Sequence, residues 1–533
     1  MQRSLLTLLA LLAVLVPATS GVAQDGPPDS RPRRDVNGPW FGLTLPPPPG
    51  AEPAVIVGSR APRPVTLPPG ESAAPELTGA AIRADLERIV GFSKESRATK
   101  EIGSGQLWGR VSGLPSSAKT VDWMLEQFRK AGITDVRDQP IAMDARASFW
   151  FPLSWEVRLL GDPAFGAGTR DVVLQSAIPV AGSEITSGTL TGPLVYVGTA
   201  GPSVLDHIDV RGKIAVQLSI PQGHMVFERG PITSQAQDLF KRGAIGVLNL
   251  LQLPGNELGR DLSNCGGPCF NVGGHDGWFI QQLMESAAEK RVADKVRVQM
   301  TLKTETRTGL TAKNGVAVIP GRRTDELVII DAHVDAWFDG AGDNADGAAV
   351  MLALARHFAK PENRPERTLV FIASAGHHSP GINGPRSFLA ANPDLASKAV
   401  LVLNIEHVAQ RNFSPARTVG ADGYRQFMAD SGEAPIYAGI TNKAPFLDDL
   451  VQQGVLRYGT NFISEKSTIT SGEMGGFSGL NVPKAMVIQA PPLYHTTGEV
   501  LDVISTPGLE RMARFLAYFV KEVAAAPRNK ISP

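Results

Sequence analysis

The stretch from Leu327 to Leu354, LVIIDAHVDAWFDGAGDNADGAAVMLAL, constrains this chain most. It opens on the apolar run Leu327-Val328-Ile329-Ile330, which predicts a buried strand. The strand delivers His333 and Asp335 to its carboxyl end, where ligands collect in open α/β sheets. A glycine-rich loop then presents Asp343 and Asn344, and the small apolar residues from Gly347 to Phe358 predict a helix. In His-x-Asp the two side chains share one face of an extended segment. Asp335 is therefore placed to accept the second ring N–H of His333 and fix its tautomer. His and Asp also bind hard or borderline divalent metals. Taken alone, a His-x-Asp is more often a strand-end turn with solvated polar groups.

The pattern repeats downstream. Arg367 to Ala373 predicts a second buried strand, followed by Ala375-Gly376-His377-His378-Ser379-Pro380-Gly381. A third strand, Ala399 to Asn404, runs into Ile405-Glu406-His407. A last strand, Ala485 to Gln489, leads to Tyr494-His495-Thr496, and Thr506 to Ala526 predicts a closing amphipathic helix. Upstream, Thr78 to Val90 and Ser116 to Lys130 carry apolar residues at helical spacing, with a strand expected at Val136 to Ile141. Strands alternating with helices imply an α/β/α architecture.

His333-x-Asp335 followed by Gly-Ala-Gly-Asp343-Asn344-x-x-Gly resembles the zinc-dependent exopeptidases of peptidase family M28. The likeness is to the branch that carries a protease-associated domain, and it covers most of residues 78 to 526. It implies a three-layer α/β/α zinc-exopeptidase-like domain with a mainly parallel sheet, formed by residues 78–146 and 306–526. Residues 147–305 resemble a smaller β-rich protease-associated insert, most clearly in RGKIAVQLSIP and KRGAIGVLNL. The resemblance also implies two zinc ions. His333, Asp343, Glu406 and His495 would be ligands, with Asp343 shared between the ions and Asp335 behind His333. Glu406 stands where the family has Asp. Glu473, in a loop similar to the family's Ser-Asp-x-x-x-Phe, and Tyr494 are expected near the substrate.

One position departs from the family. Where it has Glu-Glu, as general base and metal ligand, this chain has no carboxylate. Counting forward from Arg367 puts His377 and His378 there; counting back from Gly381 puts His378 and Ser379 there. A neutral imidazole can bind zinc or take a proton from water, so His377 and His378 join the catalytic set and His378 the ligand set. His407 is left unassigned. Two adjacent histidines on a loop surface are the bland alternative.

The resemblance implies a metal-dependent exopeptidase, an aminopeptidase first, acting on a peptide or other small amide through a metal-activated water, and the first residues imply that it is exported. A carboxypeptidase, a hydrolase of non-peptide amides or esters, and a peptide-binding pseudoenzyme remain alternatives. No Gly-x-Ser-x-Gly elbow precedes a helix, which disfavours a serine hydrolase. Lys plus Arg and Asp plus Glu both total 52, which gives no reason to expect a nucleic-acid partner. Residues 1–23 resemble a secretory leader, with Arg3 before an apolar core and a small-residue cleavage site, so a periplasmic or secreted protein without stable membrane insertion is expected. Residues 24–77 are proline-rich and expected to be extended, and 527–533 form a tail. Cys265 and Cys269, the two cysteines of the chain, are expected to form a local disulfide in an exported protein.

Overall fold

The computed structural model describes residues 55–56, 62–71, 73–219, 229–251, 255–260, 265–420, 423–442, 444–465, 472–489 and 493–532. The leader and the greater part of the proline-rich segment lie outside them.

Eight strands build the central sheet: β1 (Asp135–Ala142), β2 (Thr311–Ile319), β3 (Arg323–His333), β4 (Arg367–Ser374), β5 (Ala399–Glu406), β6 (Ile436–Ile440), β7 (Phe462–Glu465) and β8 (Lys484–Gln489). Their order is β7-β6-β8-β5-β3-β4-β2-β1. The inner four, β8-β5-β3-β4, run parallel; β2 joins β4 antiparallel and β6 joins β8 antiparallel. β4 and β5 are buried at every residue, as expected of parallel strands covered on both faces.

Alternation sets the layers. Val328, Ile330, Leu369, Phe371, Leu401 and Leu403 share one core with the helices α1 (Gly79–Thr99), α2 (Pro115–Lys130), α3 (Asp346–Ala359) and α4 (Thr506–Ala525). Leu327, Ile329, Val370 and Ile372 face the other way, onto Phe388, Met474 and Phe477. This is the α/β/α sandwich with a mainly parallel sheet that the sequence implies. α3 is small and apolar because it lies against the sheet beneath α1 and α4, and only its last turn carries Arg356 and His357.

Strands between residues 149 and 307 form a second eight-stranded sheet of mixed direction, in which the long strands Phe149–Leu160 and Arg297–Arg307 pair antiparallel. Cys265 and Cys269 are disulfide-bonded at its end. A buried amide ladder crosses this sheet: Gln217 donates to Asn249, Asn249 to Asn271, and Asn271 to the carbonyl of Gly259. Gly259 bridges to Thr496 of the central domain. Among the segments that cover the body, residues 62–71 lie against α4, where Arg511 donates to the Arg63 carbonyl and Arg514 to Glu71. Arg528–Ile531 is a helical turn whose Ile531 is buried. No helix among the described residues is long and apolar enough to cross a membrane.

Candidate metal centre

All four inner strands end at one place. β3 ends on His333, β4 leads into His377 and His378, β5 ends on Glu406 and passes to His407, and β8 leads to Tyr494 and His495. Asp343 enters from the loop before α3, and its peptide bond to Asn344 is cis. Every one of these side chains is buried except His377, which is partly exposed.

Asp343 is the hub. Its Oδ2 lies 2.9 Å from His378 Nε2 and 3.1 Å from His495 Nε2. Its Oδ1 lies 3.1 Å from His407 Nε2 and 3.5 Å from His333 Nε2. Glu406 Oε1 stands 3.7 Å from the Nε2 atoms of both His333 and His407. The second oxygen of Glu406 accepts from Asn404 Nδ2 at 2.8 Å, which turns Oε1 inward. Gly472, with φ of 56°, lies against that oxygen; a Cβ there would stand 2.6 Å from it.

The spacing of His377 and His378 is settled by Asp335. Its two carboxylate oxygens accept the peptide N–H groups of both residues, at 3.3 and 3.0 Å. His378 is thereby turned to Asp343, and His377 to the buried Glu473, whose Oε1 is 2.9 Å from His377 Nδ1. Counting forward from β4 is the spacing that places the pair; Ser379 instead donates to the Ser112 carbonyl. The expected contact of Asp335 with His333 takes a different form. His333 Nδ1 lies 3.1 Å from the Asp335 backbone carbonyl and 3.6 Å from its carboxylate, because the carboxylate is committed to the two peptide N–H groups. Tyr494 is buried and stacked on His495, centroids 3.6 Å apart, so it forms a shelf beneath that imidazole.

Several groups here had no signal in the chain's order. Arg110, fully buried, donates to the carbonyls of Val334, Asp339 and Gly340 and to Ser93, clamping the loop between His333 and Asp343. Burial lowers its pKa to about 10. Asn344 Oδ1 accepts from the His407 N–H, and Asp346 accepts from the N–H groups of Val408 and Ala409. Arg260 of the second sheet's loop donates its N–H to the His495 carbonyl.

The electrostatics are those of a charged cluster in a dry place. Burial opposes ionisation of Asp343, yet His378 and the hydrogen-bonding imidazoles hold its carboxyl well below the usual range. Burial also opposes Glu406, which His333 and His377 hold low. Burial pushes the His378 imidazolium towards neutrality. For His377 burial acts the same way, but Glu473 and Glu406 outweigh it and its pKa is raised. Asp331, deeper in the sheet, is pushed well above the carboxylate range by burial and by Glu473.

Buried polar atoms rarely lack a hydrogen bond. Here His333 Nε2, Asp343 Oδ2 and His378 Nε2 are buried close to one another, with no well-formed hydrogen bond to the described residues. Imidazole nitrogens and carboxylate oxygens at these separations fit a borderline divalent ion such as zinc.

Residues 314–520 match the model described as Peptidase family M28. A "Probable glutamate carboxypeptidase" of Arthroderma benhamiae is 37% identical over 98 residues, 17% of this chain and 13% of that protein. The chain thus matches well under two thirds of that relative's length. The Peptidase M28 precursor from Shewanella amazonensis SB2B superposes with a TM-score of 0.58 at 18% identity, covering 84% of this chain and 98% of that one. A zinc aminopeptidase from Bacillus subtilis superposes at 0.55 with 17% identity, covering 84% and 97%. These two share the fold.

Proposed function

Taking residues 314–520 as a Peptidase family M28 domain, we propose that this chain is an exported metallo-exopeptidase, an aminopeptidase first, that hydrolyses peptide bonds at a two-metal site. One observation carries the reading. Asp343 directs each of its two carboxylate oxygens at a different set of imidazoles, the arrangement a shared carboxylate needs. His333, Asp343 and Glu406 would hold one ion, and Asp343, His378 and His495 the other.

Bound there, zinc supplies a Lewis acid that polarises a carbonyl and acidifies water. The chain's own groups supply the rest. His377 takes the base position that a Glu fills elsewhere in the family. With Nδ1–H donating to Glu473 Oε1, the neutral ring would carry its lone pair on Nε2, which lies 3.9 Å from Glu406 Oε1. Nε2 would accept the proton of the attacking water and return it to the leaving amine. Stacking on His333, centroids 4.2 Å apart, and the Glu473 contact hold the ring in that orientation. Asp335 acts as a positioning residue through the peptide groups of His377 and His378. The leader-like residues 1–23 support export.

The test is a library of unblocked, N-blocked and C-blocked peptides with the zinc-loaded protein. Cleavage that requires a free amino terminus supports the aminopeptidase reading; cleavage that requires a free carboxyl terminus makes it a carboxypeptidase. A zinc-loaded protein that cleaves no peptide contradicts the reading.

A further inference from the structure

His407 follows the expected ligand Glu406 and stands outside the family resemblance. Its position in the structure is not that of a bystander. His407 Nε2 is 3.1 Å from Asp343 Oδ1, as His495 Nε2 is 3.1 Å from Asp343 Oδ2. Both residues hold a left-handed backbone, with φ of 51° and 58°, which non-glycine residues seldom adopt. Each is thus held in a costly conformation, with its imidazole aimed at one oxygen of the same carboxylate.

The backbone of His407 is bolted to the segment that carries Asp343. Its N–H donates to Asn344 Oδ1 at 3.1 Å, and the next two N–H groups donate to Asp346 at 2.9 and 2.8 Å. Its ring stands over Tyr494, centroids 5.3 Å apart. His407 is 3% exposed, and its Nδ1 is buried without a hydrogen bond, so among the described residues no outer partner draws the ring elsewhere.

His333 Nε2, Asp343 Oδ1 and His407 Nε2 then form one group of possible ligand atoms, and Glu406 Oε1 lies near both imidazoles. The four edges between imidazole and carboxylate are 3.5, 3.7, 3.1 and 3.7 Å. Ligand atoms about 2.05 Å from a tetrahedral zinc lie about 3.3 Å from one another. These four of the six edges lie within a few tenths of an ångström of that spacing.

We infer that His407 is a fourth protein ligand of the first metal position, so that the two positions are unequal. The first is closed by two imidazoles and two carboxylates. The second, with His378, His495 and Asp343, has three protein donors, the number found where a zinc site keeps a position open for chemistry. The first ion is then chiefly a structural and electrostatic partner, and the second the one that meets substrate. This rests on the two-metal reading above.

The experiment measures metal directly. His407→Asn removes the imidazole while keeping a residue that tolerates the left-handed backbone. Wild type, His407→Asn and His378→Ala are stripped of metal, checked for unchanged circular dichroism, and titrated with zinc against a competing chelator. Bound zinc is counted by elemental analysis, and the visible spectrum is recorded with cobalt(II). His407→Asn should weaken one of two binding events by at least about a hundredfold, the upper end of what losing even an outer partner costs. In cobalt(II), the four-coordinate absorption should fall in His407→Asn, while His378→Ala should weaken the other event. Two binding events of wild-type affinity in His407→Asn overturn the inference, leaving His407 as a buried hydrogen-bond partner of Asp343. Wild-type protein that binds no zinc overturns the two-metal reading itself, a distinguishable result.

Discussion

Glu473 Oε1 lies 2.9 Å from His377 Nδ1, while the same imidazole stacks on His333. The pair has the form of an imidazole oriented by a carboxylate, the arrangement that the proposed base needs. His377→Ala is expected to keep both metal ions while losing about a hundredfold or more in kcat, the usual contribution of a general base. Glu473→Gln should also keep metal and lose less. Loss of metal in either variant, measured beside kcat, makes the residue a ligand instead.

Gly472 sits where a side chain cannot. A methyl group there would meet Glu406 Oε2 at 2.6 Å, and the φ of 56° adds strain. Gly472→Ala should therefore push Glu406 off its Asn404 anchor and weaken zinc binding by about tenfold, in line with disturbing an outer-shell contact. Unchanged zinc affinity shows that the carboxylate moves freely.

Arg110 donates to three backbone carbonyls and a serine hydroxyl from a fully buried position. Arg110→Met keeps the stem and strands those acceptors, so a loss of about 3 kcal/mol in folding stability is expected. Urea unfolding of the metal-free protein reads this directly. A change below ~0.5 kcal/mol means that the loop from Val334 to Gly340 finds other partners.

Glu76 accepts from Lys360 at 2.5 Å and pairs with His357 at 2.9 Å, tying residues 75–77 to the end of α3. Burial opposes its ionisation, but Lys360, its own backbone and His357 lower the pKa below the ordinary value. A depressed carboxyl stabilises the fold fully above its unfolded pKa of about 4.3, and the benefit disappears as pH falls through the lower folded value. Glu76→Gln should thus be less stable than wild type at neutral pH, by about 1 kcal/mol, since solvent reaches the Lys360 side of the pair. Thermal unfolding of the two should converge in acid. A difference that persists there assigns the effect to packing.

How far the sequence foretold this centre depends on whether a residue's position follows from local chain direction. Apolar runs ending in His333, Glu406 and the approach to His495 place those side chains at strand ends, because a parallel sheet aligns its carboxyl ends. The His377-His378 pair was ambiguous because its placement rests on Asp335, 42 and 43 residues away, accepting both peptide N–H groups. His407 gave no signal because its aim depends on a left-handed turn and on Asn344 and Asp346. Arg110 and the Arg260 N–H reach the centre from distant segments, and no spacing rule joins them to it. The hairpin Arg411–Gly420 with Gly423–Glu433 also went unread.

The central claim is that Asp343 is shared between two metal ions. Elemental analysis of purified wild-type and Asp343→Ala protein, each equilibrated with zinc and freed of unbound metal, tests it most directly. The account predicts two zinc ions per wild-type chain and loss of both in Asp343→Ala, with the metal-free variant still folded. Full zinc occupancy in Asp343→Ala would contradict it.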